Sequence, residues 1–131
     1  MPLSMKKLLL LIFISNSLLA FSQLSSHQKI NEVYGNEFFN DKQDIFDFFV
    51  NVLDNRISFS EEVYFQTEKY EKISEVGVVN KLNTNILPFN SETFTLNSFN
   101  PIRYQLDFYQ SKLTKVYRID NTNYLLIIRP Q

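Results

Sequence analysis

The chain has 131 residues, of which 44% are hydrophobic and 21% charged, with a formal net charge of −1. This is the composition of one ordinary globular domain. Because it contains no Cys, one His and two Gly, disulfides, thiol chemistry, multi-histidine metal sites and glycine-rich phosphate loops are excluded. We therefore expect no cofactor and no bound metal, and no motif identifies a catalytic residue.

Residues 1–22 have the three parts of a secretory signal peptide: two lysines, an apolar run over residues 8–14, and small residues near the end. Ser22 and Gln23 flank the expected cleavage point, and cleavage after Ala20 also satisfies the pattern. The sequence therefore predicts export to the periplasm or the medium. The absence of Cys fits a bacterial envelope protein at least as well as a eukaryotic secreted one.

A retained membrane anchor is the alternative interpretation of this segment. A spanning helix needs about 20 consecutive apolar residues. The stretch over residues 8–21 has fourteen positions, of which three are polar. We therefore expect cleavage and no stable membrane span in the mature chain.

Two segments with helical spacing follow the signal. Residues 23–40 are predicted to form a short helix or a partly ordered arm ahead of a single domain over residues 41–131. The clearest helix covers residues 41–56, where apolar side chains fill one wide arc of the helical wheel and polar ones fill the remainder. Asn40 or Asp41 is expected to cap it.

The signals conflict over residues 57–85. Alternating apolar positions predict a strand near residues 62–67. Apolar residues at every third position predict a short helix or turn over residues 70–79. The Asn-Thr-Asn sequence at residues 83–85 and the following Pro88 predict a loop.

The C-terminal forty residues have the pattern of β-structure. We predict a short strand at residues 94–96 and a half-buried strand over residues 102–108, where apolar and polar side chains alternate. A further strand over residues 113–120 should turn at residues 121–123, because Asn tolerates the positive φ of tight hairpins. Residues 124–128 are apolar on both faces and should lie inside the sheet.

The predicted fold class is α+β: an N-terminal amphipathic helix packed on an antiparallel sheet of about four to five strands that ends in a C-terminal β-meander. This order of elements resembles the broad cystatin-like and NTF2-like shape, in which one helix is wrapped by a curved sheet. The resemblance rests on element order and on no motif. It therefore implies a shape and identifies no functional residue.

Isolated polar residues give weak candidate sites. His27 lies close to the expected new N-terminus, and we interpret it as a solvated side chain. Asp44, Asp47 and Asp54 share the polar face of the main helix. Because Asp44 and Asp54 are about 15 Å apart along the helix axis, a single calcium site is not expected.

Glutamates concentrate after the main helix and could supply a general acid and base. They are Glu61, Glu62, Glu68, Glu71 and Glu75. A glycosidase-like pair must face across a cleft at about 5 to 9 Å, and the sequence has no sign of that geometry. A carboxylate enzyme is therefore the less favoured hypothesis.

The two halves of the chain differ in charge. Residues 32–75 carry four basic and eleven acidic side chains, whereas residues 76–131 carry six basic and three acidic ones. The basic side chains of the predicted sheet are Arg103, Lys112, Lys115, Arg118 and Arg129. They could meet an anionic partner, but we favour the interpretation that an acidic helix and a basic sheet complement each other within one fold. Nucleic acid is not an expected partner of an exported, net negative chain.

The functional hypothesis from sequence is a small secreted or periplasmic binding or interaction module without catalysis, whose partner is an unknown protein or small molecule. One alternative is a small carboxylate-dependent enzyme with a pocket between helix and sheet. The other is a membrane-tethered envelope subunit, which requires the signal to remain uncleaved.

We expect the chain, tagged after Gln131 and purified from its native envelope or medium, to begin within about two positions of Gln23. The reason is that the small residues before this point fit a signal peptidase. Intact-mass spectrometry checks the N-terminus. A mass that still includes the first 22 residues would contradict cleavage and favour the membrane-tethered subunit.

Overall fold

The computed structural model describes residues 24–79 and 87–131, and in this part of the chain the protein is α+β, with two α-helices and a four-stranded mixed sheet. The signal segment with Ser22 and Gln23, and the predicted loop at residues 83–85, lie outside the described residues. The coarse fold class predicted from sequence is therefore confirmed.

Helix α1 covers Ser26–Tyr34. Its first turn is closed by a capping box, in which the Ser25 hydroxyl accepts from the Gln28 N–H (3.2 Å) and the Gln28 side chain accepts from the Ser25 N–H (2.8 Å). Such a cap stabilises a helix by about 1 kcal/mol. Ile30 and Val33 are buried on its inner face, so this segment contributes to the core.

Helix α2 covers Gln43–Asn51 and continues as a π-helix over Val52–Arg56. The helical segment therefore ends at the predicted residue. Its start was predicted wrongly, because the residue before the helix is Lys42 and no side chain caps it. Asn40 and Asp41 lie in the preceding turns, where the chain has not yet entered the helix.

The sheet has four short strands: β1 at Ile57–Glu61, β2 at Glu71–Lys72, β3 at Lys115–Arg118 and β4 at Tyr124–Ile128. Their order across the sheet is β1-β4-β3-β2. Strand β4 pairs antiparallel with both β1 and β3, whereas β2 pairs parallel with β3. The prediction of a wholly antiparallel sheet is wrong, but β4 does lie inside the sheet, as its two apolar faces predicted.

The β3–β4 hairpin turns at the predicted residues. Asn121 has φ 54°, the left-handed conformation that Asn tolerates better than most residues. The Thr122 side chain donates to the Ile119 carbonyl (2.7 Å) and accepts from the Tyr124 N–H (3.0 Å). Backbone and side chain together close this turn.

The strand predicted near residues 62–67 is wrong. Strand β1 ends at Glu61, which lies opposite Tyr124, the first residue of β4. Residues 62–67 extend beyond the first residue of β4, so no strand lies opposite them to form a sheet. As a result Val63 and Phe65, which the alternation assigned to a strand, are exposed.

The prediction of a strand over residues 102–108 is also wrong, because this segment belongs to no strand of the sheet. The predicted alternation of buried and exposed side chains is nevertheless present. Ile102, Tyr104, Leu106 and Phe108 are all buried. The segment begins as a 3₁₀ turn and forms one isolated antiparallel bridge, between Tyr104 and Val78. It then bonds to itself, with the Leu106 N–H donating to the Tyr104 carbonyl and the Phe108 N–H to the Leu106 carbonyl, as in γ-turns. In the predicted three-stranded meander this segment would pair with β3 on the side away from β4. Strand β2 occupies that side, so only the β3–β4 hairpin of the meander is present.

Two shorter predictions have different outcomes. Residues 94–96 form no strand, because a 3₁₀ turn at Ser91–Thr93 leads directly into a further turn. The short helix or turn predicted over residues 70–79 is right in part: a 3₁₀ turn lies at Ile73–Glu75, but Glu71–Lys72 before it form strand β2.

The buried guanidinium of Arg56 connects three parts of the fold. Its Nε donates to the Arg129 carbonyl (2.9 Å), and its Nη2 donates to the Phe108 carbonyl (2.8 Å). Burial lowers the pKa of Arg56, and the negative charge of Asp107 acts in the opposite direction. The end of the π-helix is thereby tied to the end of β4 and to the segment over residues 102–108.

We expect Asn121→Val to lower the free energy of unfolding by about 1–2 kcal/mol, because a β-branched residue tolerates positive φ poorly. Asn121→Gly should change it by about 0.5 kcal/mol or less, since Gly adopts this conformation readily. Urea unfolding of both variants checks the difference. Equal midpoints for the two variants would contradict the described turn.

Candidate functional site

Residues 62–70, which we name the anchored loop, accept hydrogen bonds from a buried arginine of the sheet. Arg118 lies on β3 and is fully buried. Its Nε donates to Glu68 Oε2 (2.7 Å), its Nη2 to Glu68 Oε1, and its Nη1 to the Glu62 carbonyl (2.8 Å). Such a two-pronged arginine–carboxylate pair fixes both distance and orientation.

Contacts from the β3–β4 hairpin add a second anchor. The Asn123 carbonyl accepts from the Glu62 N–H (2.6 Å), and its side-chain oxygen accepts from the Tyr64 N–H (3.3 Å). The Tyr64 ring lies 5.5 Å from the Arg118 guanidinium carbon and 5.8 Å from Lys72 Nζ, within the range of cation–π attraction. The first half of the loop is therefore fixed in backbone and side chain.

Three large apolar or aromatic side chains of the anchored loop are open to solvent. Val63 is 65% exposed, Phe65 66% and Tyr70 42%. These three side chains line one shallow depression, together with Glu62 and other loop residues. An ordered loop that presents clustered apolar side chains is typical of an interaction site.

The anchor is ionic at neutral pH. The hydrogen bonds from Arg118 hold the pKa of Glu68 below its ordinary value, and the same bonds raise the pKa of Arg118. A buried charge without this partner would cost several kcal/mol. Folding therefore requires the loop to bring Glu68 over β3.

Two of the three ion pairs among the described residues favour the interpretation that the acidic and basic halves of the chain complement each other within one fold, and the third joins the neighbours Asp41 and Lys42. Arg118 pairs with Glu68, and Arg103 lies 3.5 Å from Glu32. In each pair a basic residue of the second half meets an acidic residue of the first. These two arginines serve the fold, so they are not available as a free basic face.

The remaining polar candidates do not assemble into a centre. His27 is exposed, and its ring lies edge-on to Phe46 with centroids 5.0 Å apart. Asp54 accepts from the Ser26 hydroxyl, and Asp47 from the Gln43 amide (3.0 Å). Within residues 24–79 and 87–131, no group of three or more His, Asp or Glu side chains could hold a metal ion.

A second feature is a cavity of about 340 Å³ between the helices and the segment over residues 102–109. Its described lining is aromatic and aliphatic, with Gln105 as the one amide. Six of the lining residues are Tyr34, Phe49, Tyr104, Leu106, Phe108 and Tyr109. The carboxylate-enzyme hypothesis expects inward carboxyl groups at this position, and these lining residues supply hydroxyl and apolar groups instead.

Comparisons with known proteins add no family. A scan against family models, a search of curated proteins and a search of solved structures each returned no match. Among the described residues, no helix has both the length and the apolar character needed to span a bilayer. Any functional statement therefore depends on the geometry of this chain alone.

Sequence reasoning missed the anchored loop because alternation placed Val63 and Phe65 in a strand. One local signal was present. Arg118 stands between apolar residues, after Val116 and Tyr117 and before Ile119, and a charged residue that such a strand buries needs a partner. The sequence did not indicate which of the acidic residues would supply it.

We expect Glu68→Gln to lower the free energy of unfolding by on the order of 3 kcal/mol, because it leaves the buried Arg118 without its counter-charge. The exposed Glu71 gives the matched control, and Glu71→Gln should cost about 0.5 kcal/mol or less. Urea unfolding at neutral pH measures both. Equal losses in the two variants would contradict the anchoring role.

The contribution of Glu68 should also depend on pH with a defined sign. Because its pKa is lower in the folded protein, its stabilisation is complete above the ordinary glutamate value of 4.5 and is lost as the pH falls below it. The stability difference between the parent chain and Glu68→Gln should therefore shrink on acidification below that value. A difference that grew on acidification would contradict the ion pair.

Proposed function

We propose that the chain is a small exported binding module without catalytic activity, which engages a protein partner through the anchored loop. The observation that carries this proposal is the exposure of Val63 and Phe65 on a loop fixed by the buried Arg118. Export to the periplasm or the medium is part of the proposal and rests on the signal pattern of the first 22 residues.

The anchoring supports binding on energetic grounds. Ordering a flexible loop on association costs free energy and weakens binding. In the anchored loop most of that cost is met during folding, by the Arg118 and Asn123 contacts. Apolar side chains held in this way can act as the few residues that contribute most of the affinity.

The charges around the loop define the chemistry of the partner. Residues 61–75 carry five glutamates and two lysines, and one of those glutamates, Glu68, is already paired with Arg118. The segment that carries the apolar depression is therefore net negative. The complementary partner surface has an apolar centre, which receives Phe65 and Val63, and basic residues that face this segment.

The enzyme alternative has weaker support. It requires two carboxyl groups facing each other in a cleft. Glu68, one of its candidates, is held by Arg118, and the Glu75 side chain accepts from the Lys72 N–H (3.1 Å). The cavity beside the helices is lined by other residue types, so binding is the function that the geometry favours.

A photo-crosslinking amino acid placed at residue 65 should capture the partner in native cells. The same group at Leu113, which is 64% exposed compared with 66% for Phe65, should capture little. Phe65→Ser should reduce the recovered partner about tenfold, because truncation of a central apolar contact costs 1 kcal/mol or more. Crosslinking mass spectrometry and quantitative co-purification measure these outcomes.

Leu113→Ser is the matched control and should leave recovery unchanged, because it removes an equally exposed apolar side chain outside the loop. Equal crosslinking from residues 65 and 113, or full recovery with Phe65→Ser, would contradict the proposal. Thermal unfolding of both variants should match the parent chain, since neither side chain is buried.

A further inference from the structure

The cavity between the helices and residues 102–109, which we name the aromatic chamber, is partly open to solvent and shares no lining residue with the depression of the anchored loop. Tyr34 stacks on Phe49 with ring centroids 5.8 Å apart, and Phe49 meets Phe108 edge-on at 6.1 Å. On the rim, Tyr109 lies flat on Phe48 at 5.3 Å. Because each wall ring is held by another ring, the chamber does not depend on a ligand for its shape.

The size of the chamber limits what it can hold. Its volume is about 340 Å³, at the small end of ligand pockets in proteins. An apolar cavity of about 150 Å³ suffices for benzene. The chamber therefore has room for a ligand of about two fused rings.

The chemistry of the lining specifies the polarity of that ligand. None of the described lining residues carries a formal charge, so these residues offer an anion or cation no counter-charge for its lost hydration. Burial raises the pKa of Tyr34, the charge of Tyr109 acts in the same direction, and burial likewise raises the pKa of Tyr104. The hydroxyls of Tyr34 and Tyr104 are therefore neutral O–H donors at pH 7.

We propose that this chamber is a second binding site, which takes a neutral, mostly apolar molecule of about two fused rings bearing a hydrogen-bond acceptor such as a ketone oxygen. Tyr34 on the inner wall and Tyr109 on the rim donate to that oxygen. The aromatic rings supply the apolar contact.

Calorimetry with the purified processed chain tests the proposal, using acetylnaphthalene as the neutral ketone and naphthoate as the charged molecule of equal ring size. We expect one saturable site for acetylnaphthalene and binding of naphthoate at least about tenfold weaker, because its carboxylate loses water and meets no cationic partner among the described lining residues. No saturable binding of the ketone, or equal binding of the two molecules, would overturn the proposal.

Hydroxyl deletions locate the site. Tyr34→Phe and Tyr109→Phe should each weaken acetylnaphthalene binding about fivefold, the effect of one lost hydrogen bond. Tyr70→Phe, which removes an exposed phenol of the anchored loop, should leave the affinity unchanged. Unchanged affinity in both Tyr34→Phe and Tyr109→Phe would overturn the assignment.

A blocking variant and a loop variant complete the test. Leu106→Phe adds volume to the lining and should reduce the affinity at least about tenfold, with thermal unfolding measured to establish that the variant folds. The hydroxyl deletions keep the proposal testable if it does not. Phe65→Ser should bind acetylnaphthalene like the parent chain, so that failure of this site and failure of the proposed protein interaction are distinguishable.

Discussion

The described structure depends on the buried positive charge of Arg118. Arg118 lies on β3, an inner strand of the sheet, where its guanidinium cannot be solvated. The cost of this desolvation is compensated only if strong hydrogen-bond acceptors lie next to the guanidinium. Glu68 and the Glu62 carbonyl supply them, and both belong to the segment that leaves β1. This requirement bends that segment back over the sheet and leaves its outer side chains without cover.

The helices, the sheet and the buried arginines together form a scaffold with two distinct surfaces. Arg56 ties the π-helix to β4 and to residues 102–108, which sets the back wall of the aromatic chamber. Arg118 performs the equivalent role for the anchored loop. In both places a guanidinium satisfies backbone carbonyls of an irregular segment, which in a regular element would be satisfied by neighbouring peptides. A protein without disulfides thus holds its irregular segments by charge-assisted hydrogen bonds.

Patterns that depend on near neighbours predicted the structure well. The apolar arc of residues 41–56, the two apolar faces of β4 and the positive φ at Asn121 all follow from periodicity and turn chemistry. Even residues 102–108 alternate in burial as predicted, although they form no ladder. The errors arose where a strand needed a partner, because residues 62–67 extend beyond the end of β4 and residues 102–108 find the edge of β3 occupied by β2.

The amino-acid sequence by itself determined which chemistries are excluded, where the main helical segment ends and the final hairpin turns, and that the first 22 residues have the pattern of an export signal. These properties depend on composition and on side chains within a few positions of one another. Tertiary structure alone decided that Glu68 meets Arg118 fifty residues away, that Phe65 faces solvent, and that tyrosines from two distant segments line one chamber. Such contacts depend on which packing of the whole chain has the lowest free energy, and no local pattern encodes that choice.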